Sequence, residues 1–247
     1  MRIAVAGATG VVGRKIVTVA RDRGHEVVEL ARSVGVDLTA GAGLAERLAG
    51  VEAVIDASNN TTQKQAAAEE FFGSVTRNLL AAEQQARVGH HVALSIVGID
   101  DVPLGYYQGK RLQERLVAEG DVPWSILRAT QFHEFAAQVL HFARIGPISL
   151  VPRMLSQPVA AVEVAEALVD LAEAGPSGRV PDLAGPEPLQ MVDAARQAAR
   201  SGGRRRWVVP VWLPGAGTGM RSGALLPQTD GPRGRQTFEE WLARPRR

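Results

Sequence analysis

Cysteine is absent from all 247 residues. Disulfides, thiolate nucleophiles and cysteine-bound metals are thereby excluded. Nor does any stretch approach the ~20 consecutive apolar residues that a membrane-spanning helix needs. The amino terminus shows no charged segment leading into an apolar core. Neither a membrane span nor a signal peptide is expected, and the cytoplasm is the default compartment. Charge of a single sign is missing too: 28 Lys and Arg stand against 26 Asp and Glu, a net charge of +2. So even a balance gives no argument for nucleic acid or for an anionic membrane as a partner. The five histidines show no H-E-x-x-H or comparable spacing, so no metal site is expected. No internal repeat is visible, and no low-complexity tract beyond the short "GGRRR".

What remains is an ordinary globular composition, 45% apolar and 22% charged, with enough apolar surface for a sizeable core. Strand-like runs alternate with helix-like stretches through about the first 130 residues. Ile3–Ala6, Glu26–Leu30, a very short "GVDL", "VEAVIDAS", "HVALSIVG" and "WSILRAT" read as strands. Between them, Val12, Ile16, Val19 and Ala20 fall at helical spacing, "LAERLAG" is a short helix, and Gln63 to about Gln85 is a long one with Phe71, Val75 and Leu79 on one face. Uninterrupted apolar strands separated by helices indicate a parallel sheet covered on both faces. The fold class expected is α/β, a doubly wound parallel sheet of Rossmann type with a small carboxyl-terminal substrate lobe. The division expected is residues 1–150 for the dinucleotide-binding part and 151–247 for the lobe, both within one structural unit. After residue 130 "QFHEFAAQVLHFARIG" and "VEVAEALVDLAEAG" read as helices and "RVPDLAG" as a late strand. The last 45 or so residues are rich in Gly, Pro and Arg and include Trp207, Trp212 and Trp241.

The chain opens "MRIAVAGATGVVGRKIV". A short strand drops into Gly7, Gly10 and Gly13, and a helix follows. The spacing is G-x-x-G-x-x-G, with Thr9 in the turn, where the dinucleotide fingerprint reads G-x-G-x-x-G. The physical logic carries over. Glycine permits a tight turn, lets a pyrophosphate reach the backbone, and lets the helix sit close to the strand. The helix start then offers free N–H groups and a partial positive charge to phosphate. Val11 and Val12 belong to that first turn.

"AGATGVVG" resembles the nucleotide loop of the atypical short-chain dehydrogenase/reductase superfamily, in the branch of NmrA-like and NAD(P)H-binding quinone-reductase-like proteins. The resemblance continues through "DAS", "LSIVGID", "YYQGKRLQE", "PWSILRATQFHEF" and "PVAAVEVAEAL", about the first 190 residues. It implies a nicotinamide dinucleotide cofactor and a Ser–Tyr–Lys set: Ser95 polarising a substrate carbonyl, Tyr106 giving the proton, and Lys110 tuning the phenol and holding the nicotinamide ribose. Tyr106 and Lys110 are four apart and share a helix face, and a neighbouring ammonium lowers a phenol's pKa. By the same resemblance Asp37 contacts adenine, and Thr130, Gln131 and Phe132 lie where the chain passes the nicotinamide. Asp56 to Asn60 leave a strand at its carboxyl end, where ligands of doubly wound sheets lie, so Ala57, Ser58 and Asn59 line the cofactor groove.

Arg32 and Ser33 follow the second strand, where an arginine meets the 2′-phosphate of NADP and an acid meets the 2′-hydroxyl of NAD. NADP(H) is favoured over NAD(H), although Glu29 lies one register error away. His133 is an additional acid–base candidate at the substrate. His90 and His91 precede a strand at its wrong end for chemistry and are expected at the surface. "VVPVWLPGAG" and "GALLP" read as walls of a substrate pocket, as packing of the lobe, or as an oligomer contact. Two functions remain open: an NADP(H)-dependent reductase of a small carbonyl, enone or quinone-like compound, and a non-catalytic NADP(H)-binding redox sensor of NmrA type. An isomerase or dehydratase with a trapped cofactor is a third. The partner expected is a small-molecule substrate, with a homo-oligomer open and no nucleic acid or membrane.

Overall fold

The computed structural model describes residues 1–202 and 206–244, so Arg204 and Arg205 of the arginine run lie outside the described residues. In chain order the elements are β1 (Arg2–Ala6), α1 (Val11–Asp22), β2 (Glu26–Leu30), α2 (Leu44–Arg47), β3 (Ala53–Asp56), α3 (Gln65–Ala86), β4 (His90–Ile96), α4 (Gly105–Glu119) and β5 (Trp124–Ala129). There follow α5 (Phe135–Phe142), β6 (Arg144–Ile145), β7 (Ile148–Pro152), β8 (Leu155–Ser156), α6 (Ala161–Ala174) and β9 (Gly178–Arg179). The chain ends with β10 (Leu189–Gln190), α7 (Met191–Ser201), β11 (Trp207–Val211), α8 (Ala216–Ser222) and α9 (Phe238–Ala243). Two compact units result. The first takes residues 1–95, 104–128 and 162–180, and the second takes 96–103, 129–161 and 181–247.

The first unit holds a six-stranded sheet in the order β2-β1-β3-β4-β5-β9. Its ladders are parallel, with Ile3 beside both Val27 and Ala53. The strands β1 and β3 are apolar without alternation, and both are buried along nearly their whole length. Such strands are stable only with helices on both faces. On α1, Val12, Ile16, Val17 and Ala20 make the buried stripe. On α3 it is Phe72, rather than Phe71, that is fully enclosed, together with Val75 and Leu79. Helix α4 comes unusually close to α3, because a Cβ on Gly109 would lie 2.7 Å from the Phe72 ring and 2.8 Å from the Ala68 backbone. The glycine between Tyr106 and Lys110 therefore sets where those two side chains stand. The order reverses beside β1, which places the switch point between the carboxyl ends of β1 and β3.

The stretch "GVDL" is not a strand, so β2 is the edge of the sheet. Asp37 Oδ1 instead accepts from the Thr39 backbone N–H at 2.9 Å and its hydroxyl at 2.6 Å, turning the chain. Asn78 on α3 donates to the carbonyls of Leu38 and Thr39, and Val36 and Leu38 sink into the core beside Leu79. These anchors replace the edge pairing that a fourth residue run beside β2 would have provided.

In the second unit β8 pairs antiparallel with β10, and β11-β7-β6 form a three-stranded sheet. The helix read from "QFHEFAAQVLHFARIG" is confined to α5, because Phe132 makes a strand-like bridge to Val159. His133 is fully enclosed, between Phe238 at 5.6 Å and Trp241 at 5.7 Å. Its Nε2 lies 3.1 Å from the Gln236 carbonyl.

His90 and His91 are buried, contrary to the surface position expected from their place before a strand. The reason is that β4 lies between β3 and β5 in the middle of the sheet, so even its first residues are covered. His90 Nε2 lies 2.8 Å from Ser125 Oγ. His91 Nδ1 lies 2.8 Å from Glu83 Oε1, in the last turn of α3, with both side chains wholly enclosed. Burial disfavours the imidazolium, but the Glu83 carboxylate outweighs it and holds His91 above its ordinary pKa. Glu83→Gln strands that charge and is expected to lower the unfolding free energy, read by urea denaturation, by about 3–5 kcal/mol. The advantage of the wild type over His91→Gln is expected to be complete below about pH 6.5. It is lost as the pH rises through the raised folded-state value, because the folded state then holds the extra proton less and less.

Candidate functional site

The close approaches at the first glycines are made by the chain to itself. Gly7 adopts φ +75°, and a Cβ there would lie 2.7 Å from the Ala57 carbonyl oxygen. A Cβ on Gly13 would lie 2.0 Å from the Gly7 carbonyl oxygen. Helix α1 thus starts directly on the backbone of the turn, and the turn rests on the residues leaving β3. Gly10 caps the helix without a side chain, and no acid stands in the first turn. The N–H groups of Val11, Val12 and Gly13 find no acceptor among the described residues. Val12 is 5% exposed and anchors the turn in the core while its N–H stays open. Thr9 and Gly10 are exposed. Unsatisfied donors at the positive end of a helix dipole, with no competing carboxylate, fit a pyrophosphate.

Beyond β2, Arg32 and Ser33 lie in an exposed 3-10 turn. The Arg32 guanidinium makes no hydrogen bond or ion pair among the described residues. Glu29 is held by Arg21 of α1 at 2.8 Å. Asp37 is exposed, and its hydrogen bonds from Thr39 keep its carboxyl below the ordinary range.

Leaving β3, the chain makes a buried polar circuit. Asp56 is fully buried, and its Oδ1 accepts from the Ser58 N–H at 2.8 Å. Its Oδ2 accepts from Gln113 Nε2 at 2.7 Å. Gln113 Oε1 in turn accepts from Lys110 Nζ, which also donates to the Leu94 carbonyl at 2.6 Å. The ammonium lies 4.9 Å from the Phe72 ring centre. Burial pushes Lys110 down to about 8, against the opposing pull of the Asp56 and Glu114 carboxylates. One amide spacer, Gln113, therefore joins the buried cation to the buried anion. Neither Asp56 nor Gln113 stood among the site residues expected from sequence. Asp56 was legible as the end of a strand, and Gln113 had no signal beyond lying one turn after Lys110.

Tyr106 is partly buried in the first turn of α4, and its hydroxyl donates to Asn59 Oδ1 at 2.7 Å. Burial, followed by the neighbouring Tyr107, raises its pKa above the ordinary value. This departs from the expectation that Lys110 would lower it, because the ammonium is engaged by Leu94 and Gln113 instead. Ser95, 2% exposed near the end of β4, has a hydroxyl with no partner among the described residues, as does the buried Ser58. The glycine turn, Ala57–Asn59, Ser95, Tyr106 and Lys110 all belong to the first unit.

Thr130, Gln131, Phe132 and His133 belong to the second unit. Thr130 Oγ1 donates to the Gln157 carbonyl at 2.6 Å. Gln131 Oε1 accepts from Ser156 Oγ at 2.6 Å, while its buried Nε2 has no partner among the described residues. His133 is core, enclosed by aromatic rings, and does not stand at a surface where substrate would meet it. Arg128, in the first unit, forms a two-toothed pair with Glu114 at 2.7 and 2.6 Å that ties β5 to α4. The chain has two tyrosines, so Tyr107→Phe leaves Tyr106 as the sole phenol. Its tyrosinate absorbance is expected to appear above the ordinary value of ~10. Ionisation near neutral pH would contradict the burial described.

A family model described as NAD(P)H-binding matches residues 31–174. A photosystem II assembly factor, Ycf39 of Synechocystis, is 30% identical over 147 residues, 53% of this chain and 45% of that protein. The match thus spans about half of that relative's length. The (4-alkanoyl-5-oxo-2,5-dihydrofuran-3-yl)methyl phosphate reductase of Streptomyces griseus is 29% identical over 222 residues, 82% of this chain and 74% of that one. Among solved structures, the NADPH-dependent quinone oxidoreductase QOR2 of Escherichia coli, complexed with NADPH, superimposes with a TM-score of 0.69 at 19% identity, over 98% of each chain. Given this match and the glycine turn that offers free main-chain donors, the chain belongs to the NAD(P)H-binding family.

Proposed function

We propose that this protein is an NADP(H)-dependent reductase that delivers hydride to a small carbonyl, enone or quinone-like compound. The observation that carries the reading is the Tyr106 phenol, fixed by its 2.7 Å bond to Asn59 on the loop that also closes against Gly7. That bond supports reading Tyr106 as the proton donor. The related reductase supports the substrate class: by its name, its substrate carries a ring C=C with a lactone carbonyl and a ketone on the same alkene carbon, an alkene activated for hydride addition at the other carbon. The preference for NADP(H) rests on Arg32, exposed and without a hydrogen bond or ion pair among the described residues, and on Glu29, which Arg21 occupies.

When bound, the reduced nicotinamide supplies the hydride. The residues handle charge and protons. Ser95 Oγ, buried and without a partner among the described residues, has a hydrogen to give to a substrate carbonyl oxygen. Tyr106 holds its proton at neutral pH, and an alkoxide or enolate is basic enough to take it even from a phenol with a raised pKa. Lys110 supplies positive charge on the next turn of the same helix. A binding role without turnover draws support from one observation, the engagement of the Lys110 ammonium by Leu94 and Gln113.

Arg32→Ala is expected to raise the Kd for NADPH about 10- to 100-fold, equivalent to ~1.4–2.8 kcal/mol, and to leave NADH nearly unchanged; equal losses for both would end the preference for NADP(H). Tyr106→Phe is expected to lower kcat by about 10²–10⁴-fold with NADPH affinity intact. Tight NADPH binding by the wild type, with no oxidation across a panel of enones, quinones and aldehydes, would favour the sensor.

A further inference from the structure

Two opposite charges lie buried beneath α4, joined by an amide and not by a direct ion pair. Asp56 is fully buried, Lys110 is 4% exposed, and Gln113, 1% exposed, bonds to both. Lys110 and Gln113 are three apart on α4 and share one helix face. Asp56 ends β3 opposite Ala93 of β4, the residue before Leu94. Only one orientation of the Gln113 amide satisfies its two neighbours. A carboxylate accepts and cannot donate, whereas an ammonium donates and cannot accept. Asp56 Oδ2 takes a hydrogen from Nε2 at 2.7 Å, so Oε1 is left to accept from Lys110 Nζ. Reversing the amide would set N–H against ammonium and oxygen against carboxylate. The backbone secures both ends of the circuit. The Ser58 N–H donates to Asp56 Oδ1 at 2.8 Å, and Lys110 Nζ donates to the Leu94 carbonyl at 2.6 Å. The third Nζ hydrogen has no acceptor among the described residues.

A direct Lys–Asp pair would draw the ammonium onto the carboxylate. The interposed amide instead leaves it at the Leu94 carbonyl with one hydrogen uncommitted. Packing alone asks for none of this, since an apolar side chain of the same length would fill the space. We propose that Gln113 is a positioning residue for Lys110, its amide fixed by Asp56 so that the ammonium stays charged and stationed at the Leu94 carbonyl. The inference rests on the reading of Lys110 as part of the reductase site. Burial works against the charge, pushing Lys110 down to about 8, and the Asp56 and Glu114 carboxylates oppose it. Glu114 is shared with Arg128 of β5, and Asp56 also acts on His91 of β4. From α3 the ammonium meets the Phe72 ring, 4.9 Å away. Loss of the Oε1 acceptor leaves burial less opposed, so Lys110 gives up its proton at lower pH.

The test is a titration of the full chain carrying lysine labelled with carbon-13 at Cε. The chain has three lysines, and Lys15 and Lys64 are exposed, so three signals are expected, with Lys110 the one that titrates near 8. Lys110→Arg, which removes that signal, assigns it. Gln113→Met keeps the length and deletes the acceptor, and its Lys110 midpoint is expected to fall by about one pH unit or more. Gln113→Glu keeps the shape and an acceptor. Its midpoint is expected at or above the wild type, because a protonated carboxyl repeats the amide's pattern and an ionised one adds negative charge beside the ammonium. A mere packing role predicts the reverse, tolerance of Met and disturbance by Glu. In NADPH oxidation the alkaline limb of kcat is expected to follow the Lys110 midpoint to lower pH in Gln113→Met. An unmoved midpoint in Gln113→Met, a fall in Gln113→Glu, or an alkaline limb that ignores the midpoint would overturn the proposal. The Glu variant, matched in shape, keeps the test decisive even where the Met variant does not fold. The titration needs no turnover: a wild type that oxidises no NADPH, with midpoints shifted as expected, would end the reductase reading and still support the role of Gln113.

Discussion

Everything at the candidate site depends on how closely α1 approaches the turn before it. The space where a Gly13 side chain would begin is occupied by the Gly7 carbonyl, 2.0 Å away. That contact aims the first turn of α1 outward over the carboxyl end of the sheet. Gly10 adds no capping side chain, so the N–H groups of Val11, Val12 and Gly13 are left for a ligand. A helix end in this state is a cost to the apo protein, and phosphate oxygens supply what it lacks. The same turn leans on Ala57 through Gly7, so the coenzyme loop and the loop after β3 are placed by one packing event.

The loop after β3 carries that placement to the chemistry. Asp56 holds Ser58 with one oxygen and Gln113 with the other, and Gln113 holds Lys110. Asn59 takes the Tyr106 hydroxyl. Thus the two residues of the Tyr–Lys pair are tied to the same loop by different routes, one at the rim and one in the core. Removing a buried charge from water is costly unless its partners are complete, and the Gln113 amide completes both. The ammonium is engaged by Leu94 and Gln113, and burial rather than Lys110 governs the Tyr106 proton.

Much of this was legible in the chain because it is local. The strand, glycine turn and helix are set by neighbours within a dozen residues, and Tyr106 and Lys110 share a face by helical spacing alone. What was not legible depends on pairing between distant segments. "GVDL" has strand-like composition, but Asn78, about forty residues away, holds it as a loop. His90 and His91 look like an exposed strand start until β4 is known to lie mid-sheet. His133 reads as a helix-start residue, and only the return of α9 encloses it.

The central claim is that main-chain donors at the start of α1 hold the phosphates of a nicotinamide dinucleotide. Amide resonances of the isotopically labelled protein test it directly as NADPH is added. The account predicts that the N–H signals of Val11, Val12 and Gly13 shift most and become protected from exchange at saturation. Saturated binding that leaves those three signals unmoved, or no binding of either NADPH or NADH at millimolar concentration, would contradict it.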